Sequence, residues 1–196
     1  LAEDREGGVW ISSGSALEGA YRWFGGVWRH YGAREGLLAP LVHKIRKDRR
    51  GNLWFLGMAP QVGGTSTEGE PGAFVYDGEE FTPWGTDEGL INGRVYDFVE
   101  ASDGTRWFAT LGGLSRWREG SWTHWTGREG LRRERVFTLA IDDMDRLWFG
   151  DQASGLGRIA GDRPEYVTMA DGLVDDEVQH LRFDAKGRLW ISTSGG

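Results

Sequence analysis

Nine polar residues of this 196-residue sequence stand where they could hold a polar ligand, and they form two groups. The first group occupies one position of a recurring pattern, two residues after a valine: Lys44, Asp97, Thr138 and His180. If this position faces a water-filled channel, an ammonium and a carboxylate there could grip a polar ligand. The simpler interpretation is that these groups satisfy one another and bind nothing. The second group lies between predicted strands: Gln61, Thr65, Glu68, Arg94 and Arg135.

The sequence contains no recognisable catalytic motif. A Gly-x-Ser-x-Gly elbow, a phosphate-binding loop and a cysteine nucleophile are all absent. His43 and His180 follow their valines by one and by two residues, so they lie on opposite faces of equivalent strands and cannot converge on zinc. A carboxylate pair for glycoside hydrolysis stays open, although most Asp and Glu residues lie in predicted turns. No metal and no cofactor are implied.

Composition limits the classes of partner. The formal net charge of −7 argues against nucleic acid. No apolar stretch approaches the ~18 residues of a membrane span, so we expect membrane attachment only through segments outside this chain. The absence of cysteine excludes disulfides and suits an extracytoplasmic protein. Thirty-two Gly, eleven Trp and five Pro favour many short strands joined by tight turns.

The elements that would position the nine residues come from an internal repeat. Each copy has a glycine, a Gly-Leu pair 17 residues later, a valine, and a tryptophan 18 residues after that pair begins. The first glycines are Gly19, Gly72, Gly113 and Gly155, and the tryptophans are Trp54, Trp107, Trp148 and Trp190. Because four copies share one register, the sequence predicts a repeat protein.

Each copy resolves into four predicted strands with hairpin turns between them, such as Glu119-Gly120. An acidic turn such as 184–187 precedes the tryptophan strand, and its carboxylate is suited to cap backbone N–H groups. Four up-and-down strands per ~40 residues predict an all-β fold of β-propeller blades, each a four-stranded antiparallel sheet. We expect about four to five blade equivalents with boundaries near 1–36, 37–89, 90–130, 131–172 and 173–196.

Several spaced motifs resemble the two-component regulator propeller repeat. They are Asp-x-x-Gly-x-Leu-Trp-Ile at 184–191, Gly-Leu-x-Arg-Trp at 113–117, aromatic-Thr-x-Trp at 122–125 and acidic-Gly-Leu-x4-Val at 171–178. In that family such repeats form the extracytoplasmic sensor portion of membrane-anchored histidine kinases and hybrid regulators. Ligands of similar sensors are often oligosaccharides, so the resemblance implies recognition of a small molecule or an oligosaccharide.

The blade order of this family labels the valine strand A, the tryptophan strand B, the glycine strand C and the following aromatic strand D. The chain then starts at a strand B, at Val9-Trp10-Ile11, and ends at a strand B, which gives 17 strands and no closed ring. We therefore expect an arc of a larger propeller, completed by further blades or by a second copy. Strand direction alternates, so the B-to-C and D-to-A connections share one face. All the length variation lies in the B-to-C connections, with an insertion at 60–71, and we predict that the ligand binds on this face.

Repetition also predicts structural roles. The tryptophans of strand B should lie in the core: Trp10, Trp54, Trp107, Trp148 and Trp190. Those of strand D should be half exposed: Trp84, Trp122 and Trp125. The acidic residue before each Gly-Leu pair, for example Glu129, recurs in every copy, and we expect it to be structural.

These observations favour a ligand-sensing propeller of a two-component signal-transduction regulator, located outside the cytoplasm, in the periplasm. Two alternatives remain open. The first is a lectin-like carbohydrate-binding propeller, and the second is a propeller lyase or glycoside hydrolase.

Overall fold

The computed structural model describes residues 1–12, 18–38, 41–58 and 71–196. Within these residues the chain forms eighteen strands in five sheets. The first sheet contains β1 (Ala2–Glu3), β2 (Val9–Ser12), β3 (Ala20–Phe24) and β4 (Val27–Tyr31). The second contains β5 (Leu41–Lys47), β6 (Leu53–Met58), β7 (Ala73–Tyr76) and β8 (Phe81–Trp84). The third contains β9 (Val95–Glu100), β10 (Arg106–Thr110), β11 (Gly113–Arg118) and β12 (Ser121–Trp125).

The fourth sheet contains β13 (Val136–Ile141), β14 (Leu147–Asp151), β15 (Leu156–Ala160) and β16 (Arg163–Val167). The fifth sheet contains β17 (Val178–Phe183) and β18 (Leu189–Thr193). Two short 3₁₀ turns, Ala33–Glu35 and Met169–Asp171, are the helical elements of the described chain, and neither is long or apolar enough to cross a membrane. In every sheet the strands follow chain order, and paired strands are antiparallel. The predicted fold class, all-β with up-and-down propeller blades, is confirmed.

The chain divides into two compact units, Leu1–Tyr96 and Asp97–Gly196. The core of the first unit is aromatic, because Trp10 lies 4.6 Å from Tyr31 and 5.1 Å from Phe55 between ring centroids. The second unit contains a cluster around Trp107, Leu139 and Phe149 and a smaller one around Val178. In both units the valine of strand A is fully buried. The repeated apolar positions therefore build the core, as the sequence pattern predicts.

The count of 17 strands was wrong by one, because β1 adds a short strand A before the first strand B. Its residues Ala2 and Glu3 pair with Trp10 and Val9. The turn that follows contains Asp4, six residues before Trp10, and Asp184 precedes Trp190 by the same interval. That spacing was a readable signal for a fifth acidic turn and hence for the strand in front of it.

A β-bulge explains how strand A buries two residues that are three positions apart. In a regular strand such residues point to opposite faces, yet Val136 and Leu139 are both buried. The pairing of β13 with β14 shifts register between Val136 and Thr138, which resets the alternation. The same shift occurs in β5 and in β17. The bulge therefore determines the face of the sheet on which the polar residue two positions after the valine lies.

The strand-B tryptophans are not equally buried. Trp10 and Trp54 have no exposed surface and Trp107 is 6% exposed, but Trp190 is 60% exposed. The predicted core position does not hold for Trp190 among the described residues, where β18 pairs with β17 in a two-stranded sheet. Trp125 differs in the opposite direction from the predicted half exposure. Its ring packs 5.1 Å from Trp107 and its indole donates to the Asp162 carbonyl, which buries it to 3% exposure.

The acidic turns behave as capping devices. In the turn after β17, Asp184 Oδ1 accepts the backbone N–H groups of Lys186 and Arg188, at 2.9 and 3.0 Å. In the fourth sheet, where this turn lacks glycine, Asp145 itself adopts a left-handed conformation with φ of 58°. The acidic residue before Gly-Leu has a similar role: Glu129 Oε2 accepts from the Thr126 backbone N–H at 2.8 Å and from its hydroxyl at 2.7 Å. These carboxylates are therefore structural.

Candidate ligand-binding cleft

A cleft of about 530 Å³ opens in the second unit between connections of two kinds. The D-to-A connections contribute Arg133, Glu134, Arg135 and Glu177, and the B-to-C connection after β14 contributes Gln152 and Ala153. This is the pair of connections that the alternation of strand direction assigns to one face. Arginine, glutamine and glutamate side chains together offer both donors and acceptors to a polar ligand.

A buried carboxylate lies next to this cleft. Asp151 is the last residue of β14, directly before Gln152, and its residue surface is 0% exposed. Its Oδ1 accepts the backbone N–H groups of Ala153 at 2.9 Å and Ser154 at 2.7 Å. Its Oδ2 is buried without a hydrogen-bond partner. A buried, half-satisfied carboxylate is costly, which marks Asp151 as a candidate for function.

Electrostatics make the same point. Burial raises the pKa of the Asp151 carboxyl above its usual range. The two backbone N–H groups, the Ser154 side chain and the charge of Arg133 act in the opposite sense and do not fully compensate. Burial likewise raises the pKa of Tyr166, and the negative charge of Asp151 adds to that rise. The environment of Asp151 therefore disfavours the ionised form of its carboxyl group as long as no partner donates to Oδ2.

Asp151 departs from the repeat at its own position, three residues after the strand-B tryptophan. The third and fifth sheets have Thr110 and Thr193 there. Each of these hydroxyls donates to a nearby glycine carbonyl and closes the loop: Thr110 to Gly113 at 2.9 Å, and Thr193 to Gly196 at 2.8 Å. Asp151 closes its loop with Oδ1 alone, so Oδ2 has no role in the turn. A charged residue in place of a hydroxyl was the signal from which the sequence could have identified it.

The structure places one of the nine predicted site residues, Arg135, in the cleft. Sequence reasoning missed Arg133, Gln152 and Glu177, which lie on the predicted face but were not singled out. Arg94 stands at the position equivalent to Arg135 in the first unit, directly before its valine. Its backbone N–H donates to Asn92 Oδ1 at 2.8 Å, and its Nε is buried without a partner.

The residues two positions after the valine form a row in the second unit, at Asp97, Thr138 and His180. Asp97 is fully buried, and its Oδ2 accepts the backbone N–H of Leu139 at 3.0 Å. Thr138 repeats this link one sheet further, because its Oγ1 accepts the N–H of Leu181 at 3.1 Å. His180 is exposed. The polar groups of Asp97 and Thr138 thus join neighbouring strands.

Lys44 of the first unit is half-buried on β5, paired in register with Leu56. Gln61, Thr65 and Glu68, with most of the 60–71 insertion, lie outside the described residues. Within the described part of the chain, no group of three or more His, Asp or Glu side chains could hold a metal ion.

The first unit has a cavity of about 240 Å³ among its A-to-B and C-to-D turns. Its arginines already have partners: Arg22 pairs with Asp4 and Glu6, both at 2.6 Å, and Arg5 donates to Asn52 Oδ1 at 2.7 Å. A ligand there would have to compete with these pairs. We therefore assign the candidate site to the cleft of the second unit.

The family model of the two component regulator propeller matches residues 172–195, which include β17 and β18. At this one repeat, the match confirms the repeat family that the sequence motifs indicated. No curated protein matches the sequence.

Solved structures share the fold. The extracellular domain of a hybrid two-component system from B. thetaiotaomicron is similar with a TM-score of 0.77 and 16% identity, covering 100% of this chain and 26% of that one. Virginiamycin B lyase from Staphylococcus aureus is similar with a TM-score of 0.71 and 17% identity, covering 100% and 62%. PorZ, a surface component of the type-IX secretion system of Porphyromonas gingivalis, has a TM-score of 0.68 and 13% identity, covering 100% and 30%. This chain spans about a quarter of the first of these, and the likeness shows the fold alone.

Proposed function

Because residues 172–195 form a two-component regulator propeller repeat, we propose that this chain is part of the ligand-sensing region of a two-component signal-transduction regulator. The ligand is a small polar molecule or an oligosaccharide. It binds outside the cytoplasm, in the periplasm, and further blades or a second copy complete the propeller. The similarity to an extracellular domain of a hybrid two-component system supports this location.

The cleft of the second unit is the proposed binding site, and Asp151 is the observation that carries it. A carboxylate oxygen buried without a partner lowers stability unless a ligand donates to it. Sugar hydroxyls are suitable donors, and Arg133, Arg135, Gln152 and Glu177 supply further polar contacts around the same opening.

The test measures binding of a panel of neutral and uronic-acid oligosaccharides to the purified chain by isothermal titration calorimetry. We expect Asp151→Asn and Arg135→Ala each to weaken binding about tenfold, the value of one hydrogen bond to a charged group. The matched control is Arg163→Ala, since Arg163 is exposed at the opposite end of the fourth sheet. Equal affinity in all three variants would exclude the cleft.

Stability of Asp151→Asn provides a second readout. Because the folded-state pKa is raised, the fold loses stability as the pH rises above the unfolded-state pKa of Asp151, and the loss is complete above the folded-state pKa. The variant should therefore melt above the wild type at pH 7, and the difference should shrink as the pH falls and Asp151 becomes protonated. Higher stability together with weaker binding is the signature of a residue kept for function.

Turnover of an oligosaccharide by the chain would favour the enzyme alternative, and agglutination of glycan-coated particles would favour the lectin.

A further inference from the structure

One acidic turn of the chain lacks its aspartate. Four turns have an Asp six residues before the strand-B tryptophan, and in each the Oδ2 atom accepts the indole N–H. The pairs are Asp4–Trp10 at 2.7 Å, Asp48–Trp54 at 3.2 Å, Asp142–Trp148 at 2.9 Å and Asp184–Trp190 at 3.1 Å. In the third sheet the equivalent residue is Ala101, six residues before Trp107.

The hydrogen-bond donors from which such a carboxylate would accept are present around Ala101. Trp107 is 6% exposed, and its indole N–H meets no acceptor among the described residues. Arg116 is paired in register with Trp107, as Arg22 is with Trp10. Arg22 donates its Nε to Asp4 Oδ2 at 2.6 Å, whereas the Nε of Arg116 is buried without a partner.

The space that an aspartate carboxylate would fill at position 101 is a cavity. A cavity of about 130 Å³ lies at this place, bordered by Ala101, Thr105, Trp107 and Arg116. It exceeds several times the ~30 Å³ share of one water molecule. The guanidinium of Arg116 is held over the rings of Trp107 and Trp125, 5.6 and 5.1 Å from their centroids, and its Nη2 donates to Thr123 Oγ1 at 3.2 Å. The two free donors are therefore fixed in position.

The acidic residues that border the cavity are already engaged. Asp103 accepts the Thr105 backbone N–H at 2.9 Å and pairs with Arg118 at 3.4 Å. Asp145 accepts the backbone N–H of Ser102 at 2.7 Å and also its hydroxyl. Asp103 thus takes over part of the backbone capping that Asp performs in the other turns, but neither carboxylate reaches the indole of Trp107 or the Nε of Arg116 within hydrogen-bond distance.

We propose that this cavity, the Ala101 socket, binds a small carboxylate. Formate and acetate are the simplest members of this class, because the Ala101 methyl group followed by a carboxylate reproduces an aspartate side chain. One carboxylate oxygen accepts from Trp107 Nε1 and Arg116 Nε, the arrangement that Asp4 makes with Trp10 and Arg22 in this same chain. The socket lies among A-to-B and C-to-D turns, so it is separate from the cleft assigned to the sensed ligand.

The experiment titrates formate and acetate against the wild-type chain, with chloride at matched ionic strength as the reference salt. Binding is followed by the indole N–H resonances in ¹H–¹⁵N NMR spectra. We expect one indole signal, absent in Trp107→Phe, to shift saturably with formate or acetate and not with chloride. Ala101→Asp should place that signal near its bound position without added carboxylate and abolish the response.

Arg116→Lys keeps the positive charge and loses the planar Nε donor, so it should weaken binding about tenfold while the protein stays folded. This variant keeps the test decisive if Ala101→Asp does not fold. Arg163→Ala, on an exposed residue that does not border the socket, should bind as the wild type does. The proposal is wrong if no indole signal responds saturably, if chloride produces the same shift, or if Arg116→Lys leaves the affinity unchanged.

Discussion

At the scale of single residues, repetition separates structural carboxylates from the one that we propose to contact a ligand. Asp4, Asp48, Asp142 and Asp184 all hold a turn and an indole, so their role is the same in each sheet. Asp151 has no counterpart, and half of its carboxylate is unused. In a repeat protein, the residue that differs from its equivalents is the better candidate for a ligand contact, because shared positions serve the shared fold.

Asp4 offers a test of the structural carboxylates by pH. Burial raises its pKa, but hydrogen bonds from Arg22, Trp10 and two backbone N–H groups outweigh that effect and hold the pKa at about 2, against an ordinary value of 3.8. A lowered pKa stabilises the fold above the unfolded-state value and is lost as the pH falls through the folded-state value. Between pH 4 and pH 2 the wild type should therefore lose about 2 kcal/mol that Asp4→Asn does not lose.

The measurement is urea unfolding at pH 7, 4 and 2.5, followed by far-UV circular dichroism. The two proteins should differ most at pH 7, and the difference should narrow at pH 4 and again at pH 2.5, as the pH approaches the folded-state pKa of Asp4. A constant difference across this range would show that the ionised Asp4 does not stabilise the fold.

At the scale of the elements, tight hairpins and capped corners set the geometry of each sheet. The β11–β12 hairpin has a two-residue turn in which both residues have positive φ, 48° at Glu119 and 83° at Gly120. Such turns match the twist of the paired strands but strain a residue that carries a Cβ. Glu119 therefore occupies a position that Asn or Gly would fill with less strain.

We predict that Glu119→Asn stabilises the protein by roughly 0.5–1 kcal/mol, because Asn tolerates the left-handed conformation. Gly120→Ala is the matched control in the same turn. A Cβ at Gly120 would meet no atom within 4 Å, so its cost arises from the backbone conformation alone, and we expect the opposite sign. Both are measured by thermal unfolding, and a destabilised Glu119→Asn would mean that the Glu119 side chain makes a stabilising contact.

At the scale of the whole molecule, burial depends on which neighbouring strands each sheet has. Trp54 and Trp190 occupy the same repeat position, and both donate their indole N–H to the aspartate of the preceding turn. Trp54 also packs 5.2 Å from Trp84 and has no exposed surface, whereas Trp190 is 60% exposed. The same sequence motif therefore contributes differently to the free energy of unfolding in the two sheets.

Trp54→Ala should cost roughly 3–5 kcal/mol, the range for removing a fully buried aromatic side chain. Trp190→Ala should cost about 1 kcal/mol, the value of its hydrogen bond. Chemical denaturation followed by circular dichroism compares the two directly. Equal costs would mean that β18 is as well covered as β6, contrary to the exposure of Trp190.

The sequence by itself determined the fold class, the repeat family and the structural role of the acidic residue before each Gly-Leu pair. It could do so because these properties depend on spacing and on hydrogen bonds between residues close in the chain, such as Glu129 with Thr126. It also identified the face that the B-to-C and D-to-A connections share, since the alternation of strand direction follows from the order of the strands alone.

Only the tertiary structure decided which side chains share one opening and which donors are left without acceptors. Arg133, Gln152 and Glu177 come from three separate connections, so their proximity depends on how successive sheets pack. The same holds for Asp97 and Thr138, whose partners lie about 42 residues further along the chain. The Ala101 socket likewise exists only because the fold brings Trp107 and Arg116 next to Ala101. Contacts between different repeats depend on how successive sheets pack, and the pattern within one repeat therefore does not specify them.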